Sequence, residues 1–162
     1  MQQAADLLRK GDTDGALAAV RRELAANPTS TRAANMLDTL GANADARQVF
    51  QHIIDSASSP ADKAGAQRGM AMSYAFVGDC ANTSKYEEMV IAYWVTREQT
   101  EPQNAFYQQG EMANEAARVC LDAGDLDAAE RLYSRGTELL ALAHNPPAAF
   151  SRPFAREKLG VK

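Results

Sequence analysis

One stretch constrains the fold of this chain more than any other. Between Gly124 and Ala143 the small and apolar residues recur at the i, i+3, i+4, i+7 spacing of one helix face. They are Ala129, Leu132, Tyr133, Gly136, Leu139, Leu140 and Ala143. Gly124 can end a preceding helix in the left-handed conformation, and Asp125 can cap the helix that follows. The stretch therefore predicts the second half of a helix hairpin with a very tight turn.

Weaker copies of this turn occur earlier in the chain. Turn glycines stand at positions 11, 41, 78 and 124, separated by 30, 37 and 46 residues. The first two gaps fit a hairpin repeat of about 34 residues, and the third requires longer helices. Before the sixth helix a linker from Asp79 to Thr83 is expected, because Ser84 and Glu87 form a capping box. No strand-type alternation interrupts the pattern, so the predicted class is all-α.

Composition narrows the function classes. At 162 residues the chain is one domain or one short solenoid, and its net charge of -4 comes from interspersed acids and bases. Without a basic run, nucleic acid is not an expected partner. No apolar run approaches the roughly 18 residues of a membrane span, so no membrane insertion is expected. The residues Met1–Asp6 lack the basic and apolar regions of a signal peptide, which favours the cytoplasm unless a signal has been removed.

The hairpin pattern resembles the tetratricopeptide repeat family, in which small residues let the paired helices approach and an aromatic fills the gap between hairpins. The matching residues are Ala117, Ala129 and Tyr133 in the last repeat, Ala34, Ala46 and Phe50 in the second, Ala4, Ala16, Val20 and Pro28 in the first, and Ala71, Tyr74 and Gly78 in the third. The third repeat departs at Thr83, where a small residue is expected. The resemblance implies a right-handed superhelical solenoid of about four helix–turn–helix repeats over residues 1–143.

The remaining residues, 144–162, are expected to be a C-terminal tail with a short capping helix. Phe150 and Phe154 have the spacing to cover the apolar face of the last repeat. Terminal repeats of a solenoid need such a cover.

The resemblance implies a non-catalytic scaffold that binds a peptide or protein segment in its concave groove, with no cofactor. The alternative is a structural or self-assembly module, either part of a longer array or a homo-oligomer. Enzyme activity is not expected: His52 and His144 are isolated from other metal ligands, and no phosphate loop, nucleophile elbow or zinc-protease motif is present. Binding of acidic chaperone tails is not expected either, because Arg68 alone offers a charge that matches the family's clamp.

Stacking the repeats in register predicts the binding residues. Each repeat contributes two residues four positions apart, which lie on one helix face. The expected stripe is Thr31 and Asn35, then Arg68 and Met72, then Asn114 and Arg118. The two asparagines can hold an extended backbone, and the arginines present planar donors to carboxylates.

Two further features each leave two interpretations open. Seven of the eleven aromatic residues lie between Tyr74 and Tyr107, either as a larger core or with Phe76 or Tyr107 exposed as a binding pocket. Cys80 and Cys120 fall at the same edge of the predicted solenoid, either as unrelated buried thiols or as a disulfide. A disulfide together with a removed signal would indicate an exported or periplasmic protein.

Overall fold

The computed structural model of the chain describes residues 1–145, and every regular element in that range is an α-helix. The predicted all-α class is confirmed. The chain divides into two compact units, Met1–Val77 and Gly78–Lys162. The helices of the first unit are α1 Gln2–Arg9, α2 Thr13–Ala26, α3 Thr31–Thr39, α4 Asn43–Ser56 and α5 Pro60–Phe76. Those of the second are α6 Cys80–Val95, α7 Pro102–Asp122 and α8 Leu126–His144. Phe150, Phe154 and the predicted capping helix lie outside the described residues.

The four predicted turn glycines share one backbone conformation. Gly11, Gly41, Gly78 and Gly124 have φ values of 80, 79, 72 and 84°. A residue with a Cβ would be strained there, which explains why glycine recurs. At the last turn the Gly124 amide donates to Leu121 O at 3.0 Å. The next amide donates to Cys120 O at 2.9 Å, and the same pair of bonds closes the turns at Gly11 and Gly41.

Helix starts follow the predicted capping signals in most places. Asp12, Ser30, Ser59 and Asp125 each accept a hydrogen bond from the backbone amide three residues later. The predicted linker before α6 is wrong. The helix begins at Cys80, because Asp79 directly follows the turn glycine and its carboxylate accepts from Asn82 N at 2.9 Å. The turn is therefore as short as those before α2 and α8.

The interior of the first unit is apolar and largely as expected. The apolar spacing predicts an inner face at Ala33, Ala34, Leu37 and Leu40 in the third helix region, and at Ala46, Phe50, Ile53 and Ile54 in the fourth. Leu40 and Ile54 are only half-buried, whereas the other six are buried, with Phe50 fully enclosed. The ring of Phe50 lies against Gly69 of α5, where a Cβ would come within 2.6 Å of the Cδ1 atom of Phe50. Glycine at this position therefore lets α4 and α5 pack closely.

A buried polar network joins three helices of the same unit. The Asp38 carboxylate of α3 accepts from Asn43 Nδ2 at 2.9 Å and from Ser73 Oγ of α5 at 2.7 Å. The guanidinium of Arg47 lies 3.4 Å from Ser73 Oγ and stacks 4.7 Å over the Tyr74 ring. Because a buried polar group is costly without partners, these bonds favour one relative placement of α3, α4 and α5.

In the second unit α7 and α8 pack antiparallel along most of their length, and α6 packs on α7. The closest approach is at Gly110 and Gly136, where a Cβ on either residue would lie 3.1 Å from the other's carbonyl oxygen. The predicted inner face of α8 is confirmed, since Ala129, Gly136, Leu139 and Ala143 are buried.

The predicted inner face of α6 is only partly right. The apolar spacing predicts Tyr86, Met89, Val90, Tyr93 and Trp94 on one side of this helix. Of these Val90 is buried, Met89 is exposed and the other three are half-buried. Glu87, expected on a solvated side with Glu88, is buried. The reason is that Cys80 faces α7, which directs the positions three, seven, ten and eleven residues further along the helix toward the interior. These buried residues are Thr83, Glu87, Val90 and Ile91.

Candidate functional site

An open groove lies at one end of the α7–α8 hairpin. Its cavity of about 480 Å³ falls within the range of small-ligand and side-chain pockets. The lining residues are Gln103, Asn104, Tyr107 and Glu111 of α7 with Leu140, Ala143 and His144 of α8. We call this surface the end groove.

Tyr107 forms the most exposed apolar wall of the end groove. Its side chain is 48% exposed, although Phe106 beside it is buried against Leu139. Phe76 is 66% exposed as well, so the two aromatic side chains named for the second interpretation of the aromatic cluster are both exposed. Tyr107 alone of the two contributes to this cavity.

The polar rim of the end groove is held by neighbouring charges. Asn104 Nδ2 donates to Glu101 Oε2 at 3.1 Å, and Arg97 Nε donates to Glu101 Oε1 at 2.7 Å. The pKa of Glu101 is lowered, mainly by the hydrogen bond from Arg97 and then by the one from Asn104. The same hydrogen bond raises the pKa of Arg97. Glu101 is therefore ionised and fixes the amide orientation of Asn104 at the rim.

Four residues of the predicted stripe lie in the first unit, on α3 and α5, which pack on one another. Thr31 lines a cavity of about 420 Å³ together with Ala61, Asp62 and Gly65 of α5. Arg68 and Met72 follow Gly65 at three and seven positions, so they continue along the same face of α5. We call this surface, which includes the exposed Asn35, the α3–α5 face.

The other two stripe residues lie on α7 in the second unit. Arg118 is exposed there. Asn114 is half-buried, and its Oδ1 atom has no hydrogen-bond partner within the described part of the chain. Its side chain packs against Gly136 of α8, where an added Cβ would lie 2.8 Å from Asn114 Cγ. Asn114 thus has a packing contact that its sequence position did not indicate.

The two cysteines meet inside the second unit. The sulfur atoms of Cys80 and Cys120 are within disulfide-bonding distance, with 4.6 Å between the Cα atoms. Cys80 is the first residue of α6 and Cys120 lies near the end of α7, beside Ala128, Ala129 and Leu132 of α8. The pair therefore links α6 and α7 at the end of the hairpin opposite to the end groove.

Several buried polar residues carried no recognisable signal in the sequence. Glu98 lies in the turn between α6 and α7, yet it is only 3% exposed and accepts from the buried Gln109 Nε2 at 3.0 Å. Glu88, by contrast, is exposed as expected, and it pairs with Arg135 of α8. A turn of six residues gives no periodicity from which burial could be read.

Within residues 1–145, no group of three or more His, Cys, Asp or Glu residues has the geometry to hold a metal ion. His52 and His144 are both exposed, and His144 lines the end groove. No helix in the described range is long and apolar enough to cross a membrane. Comparison with protein-family models, with curated proteins and with solved structures finds no match for this chain.

Proposed function

We propose that this protein is a non-catalytic helical repeat scaffold that binds a peptide or protein segment on the α3–α5 face. The arrangement we propose is a right-handed superhelical solenoid of the tetratricopeptide kind, with about four repeats. The recurring turn geometry supports it, because four glycines at corresponding positions share a positive φ. Within the first unit α2 also packs on α3, and α3 on α5, as stacked hairpins require.

One observation carries the proposed site. Thr31 of α3 lines the same cavity as Ala61 and Gly65 of α5, so the two helices present a shared open surface. Gly65 has no atom within 4 Å of an added Cβ, which leaves room there for an incoming chain. Arg68, one turn further on, supplies a planar donor suited to a carboxylate. The expected ligand is therefore an extended segment that carries Asp or Glu.

A random peptide library displayed on phage, selected against the full chain, tests this proposal. We expect enrichment of sequences that contain carboxylates. For a selected peptide measured by calorimetry, Arg68→Glu should weaken binding by at least about tenfold, a loss of about 1.4 kcal/mol. The matched control is Arg22→Glu on the exposed side of α2, which should leave the affinity unchanged. Equal binding by the wild type and the Arg68→Glu variant would place the site elsewhere.

Arg118→Glu provides a separate test of the continuous stripe. If α7 of the second unit contributes to the binding surface, this change should also weaken binding of the same peptide. If only Arg68→Glu has an effect, the site is confined to the first unit. Circular dichroism melts of the Arg118→Glu and Arg22→Glu variants should match the wild type, because both residues are exposed. Arg68 is half-buried, so the melt of Arg68→Glu is measured to verify that this variant is folded at the temperature of the binding experiment.

A self-assembly role is favoured by one observation. Phe76 and Val77, at the end of α5, are 66% and 54% exposed. Adjacent exposed apolar side chains often mark contact surfaces between proteins. Light scattering over a wide range of concentration decides this alternative: a dimer that Phe76→Ser dissociates supports it, and a monomer at the highest concentration excludes it.

A further inference from the structure

The charges of this chain are distributed unevenly along the sequence. Residues 1–77 contain eight acidic and eight basic residues, so their formal net charge is zero. Residues 78–145 contain twelve acidic and five basic residues, a formal net charge of −7. The end groove belongs to this acidic part of the chain. Because an excess of one sign of charge raises the local concentration of ligands of the other sign, the end groove lies where cationic groups accumulate.

Glu111 places an unbalanced negative charge in the end groove. The residue is half-buried, and no described residue gives its carboxylate a hydrogen bond or an ion pair. None of the described residues that line the groove is Lys or Arg. Arg97, which lies beside the rim, is already paired with Glu101 at 2.7 Å. Because a partly buried charge is screened less than one on an open surface, a cation that enters the groove is attracted strongly to Glu111.

The ring of Tyr107 is a second group in the groove that attracts cations. Tyr107 lies four positions before Glu111, so the two side chains are neighbours on one face of α7. In the first unit, the half-buried ring of Tyr74 has the Arg47 guanidinium 4.7 Å from its centroid. Tyr107 is more exposed, and no cation of the described residues lies over its ring. The face of this ring is therefore available to a cation from another molecule.

We propose that the end groove binds an arginine side chain of a partner protein, with the guanidinium against the Tyr107 ring and the Glu111 carboxylate. The aliphatic stem of the arginine packs on Leu140 and Ala143, which line the opposite wall. A guanidinium fits better than an ammonium, because it is planar, stacks on aromatic rings and donates two parallel hydrogen bonds to a carboxylate. The inference goes beyond the proposed function, since it concerns another surface and a ligand of opposite charge.

An NMR titration of the full chain with the terminally blocked peptide Gly-Ala-Arg-Ala-Gly tests the proposal. The backbone amide signals of Tyr107, Glu111 and Leu140 should shift and saturate. The same peptide with citrulline in place of arginine keeps the shape but lacks the charge, and it should bind at least about fivefold more weakly. A peptide with glutamate at this position should not shift these signals. Equal binding of the arginine and citrulline peptides, or no saturable shift with the arginine peptide, would overturn the proposal.

Substitutions in the groove separate specific binding from attraction by net charge. Glu111→Gln retains the shape of the side chain and should weaken binding of the arginine peptide at least about fivefold. Tyr107→Leu keeps an apolar wall without a ring and should weaken it about threefold. The matched control is Glu138→Gln, which removes the same charge from an exposed position of α8 outside the groove and should leave the affinity unchanged.

Circular dichroism should show equal helix content in the wild type and in these three variants. If Glu111→Gln and Glu138→Gln weaken binding equally, net charge alone holds the peptide, which contradicts a specific arginine site.

Discussion

The two units hold three helices together by different means. In the first, Asp38 of α3, Asn43 of α4 and Ser73 of α5 form a buried hydrogen-bonded network. In the second, α6 and α7 meet at the sulfur atoms of Cys80 and Cys120, and α7 and α8 meet at two glycines. The same hairpin pattern in the sequence is therefore stabilised by side-chain hydrogen bonds in one half and by close backbone contact with a sulfur linkage in the other.

The two units also differ in net charge. Hydrogen bonds to a buried carboxylate fix the relative placement of helices without altering the surface, and the first unit carries no net charge. The second unit presents a strongly acidic surface over residues 78–145. Residues 78–145 therefore attract cations and repel anions more strongly than residues 1–77 do.

The largest expected effect concerns the linkage that only the second unit contains. Replacing both cysteines by serine should destabilise α6–α8 by about 4 kcal/mol, because a crosslink between residues 40 apart removes that much chain entropy from the unfolded state. Hydrogen exchange should accelerate in α6–α8, with α1–α5 as the internal reference. Reduction of the wild type should reproduce the effect.

The cysteine prediction has a direct control. Maleimide labelling of the unfolded, non-reduced wild type should find no free thiol. Two labelled cysteines would show that the sulfurs are not bonded in the purified protein, and the comparison between the units would then rest on the glycine contact alone.

A smaller effect is expected from the close packing of α4 and α5. Gly69→Ala should destabilise the first unit by about 2 kcal/mol, because the new Cβ overlaps the fully buried ring of Phe50. Gly65→Ala on the same helix is the matched control, since nothing lies within 4 Å of its Cβ. That change should stabilise by up to about 1 kcal/mol through helix propensity. Equal urea midpoints for the two variants would contradict the packing argument.

The sequence predicted local features well because they depend on nearby residues. The glycine turns, the Ser and Asp caps, and the inner faces of α3, α4 and α8 follow from periodicity and capping chemistry. The helix start at Cys80 also has a signal in the sequence, since Gly78 and Asp79 repeat the turn seen at Gly124 and Asp125. The capping box at Ser84 predicts a later helix start, but α6 begins four residues earlier.

The candidate surfaces were less accessible from the sequence. The sequence left open whether Tyr107 is buried or exposed, and Glu111 and His144 join it only because α7 and α8 run antiparallel. Burial of Glu87 depends on which way Cys80 faces, and burial of Glu98 depends on the path of a turn. Such contacts join residues distant in the chain or outside any periodic element, so hydrophobic patterning does not specify them.

A more moderate change tests the polar network of the first unit. Ser73→Ala removes the hydrogen bond to Asp38 Oδ1 and leaves a buried carboxylate with one partner fewer. We expect a loss of about 1.5 kcal/mol in the free energy of unfolding. Ser134→Ala, at an exposed position of α8, is the control and should change stability little. If both variants unfold at the same urea concentration, the network does not distinguish the first unit.

The smallest expected effect is a pH dependence at the rim of the end groove. The pKa of Glu101 is lowered by hydrogen bonds from Arg97 and Asn104, so folding favours its ionised form. This contribution is fully present above the usual glutamate pKa and is lost as the pH falls through the lower pKa of the folded state. NMR titration of the Glu101 carboxyl carbon should give a midpoint that rises in the Arg97→Gln variant. Arg9→Gln, in the exposed pair with Asp6 of the first unit, should leave that midpoint unchanged. A midpoint of Glu101 that does not respond to Arg97→Gln would mean that this exposed pair does not hold the rim of the groove.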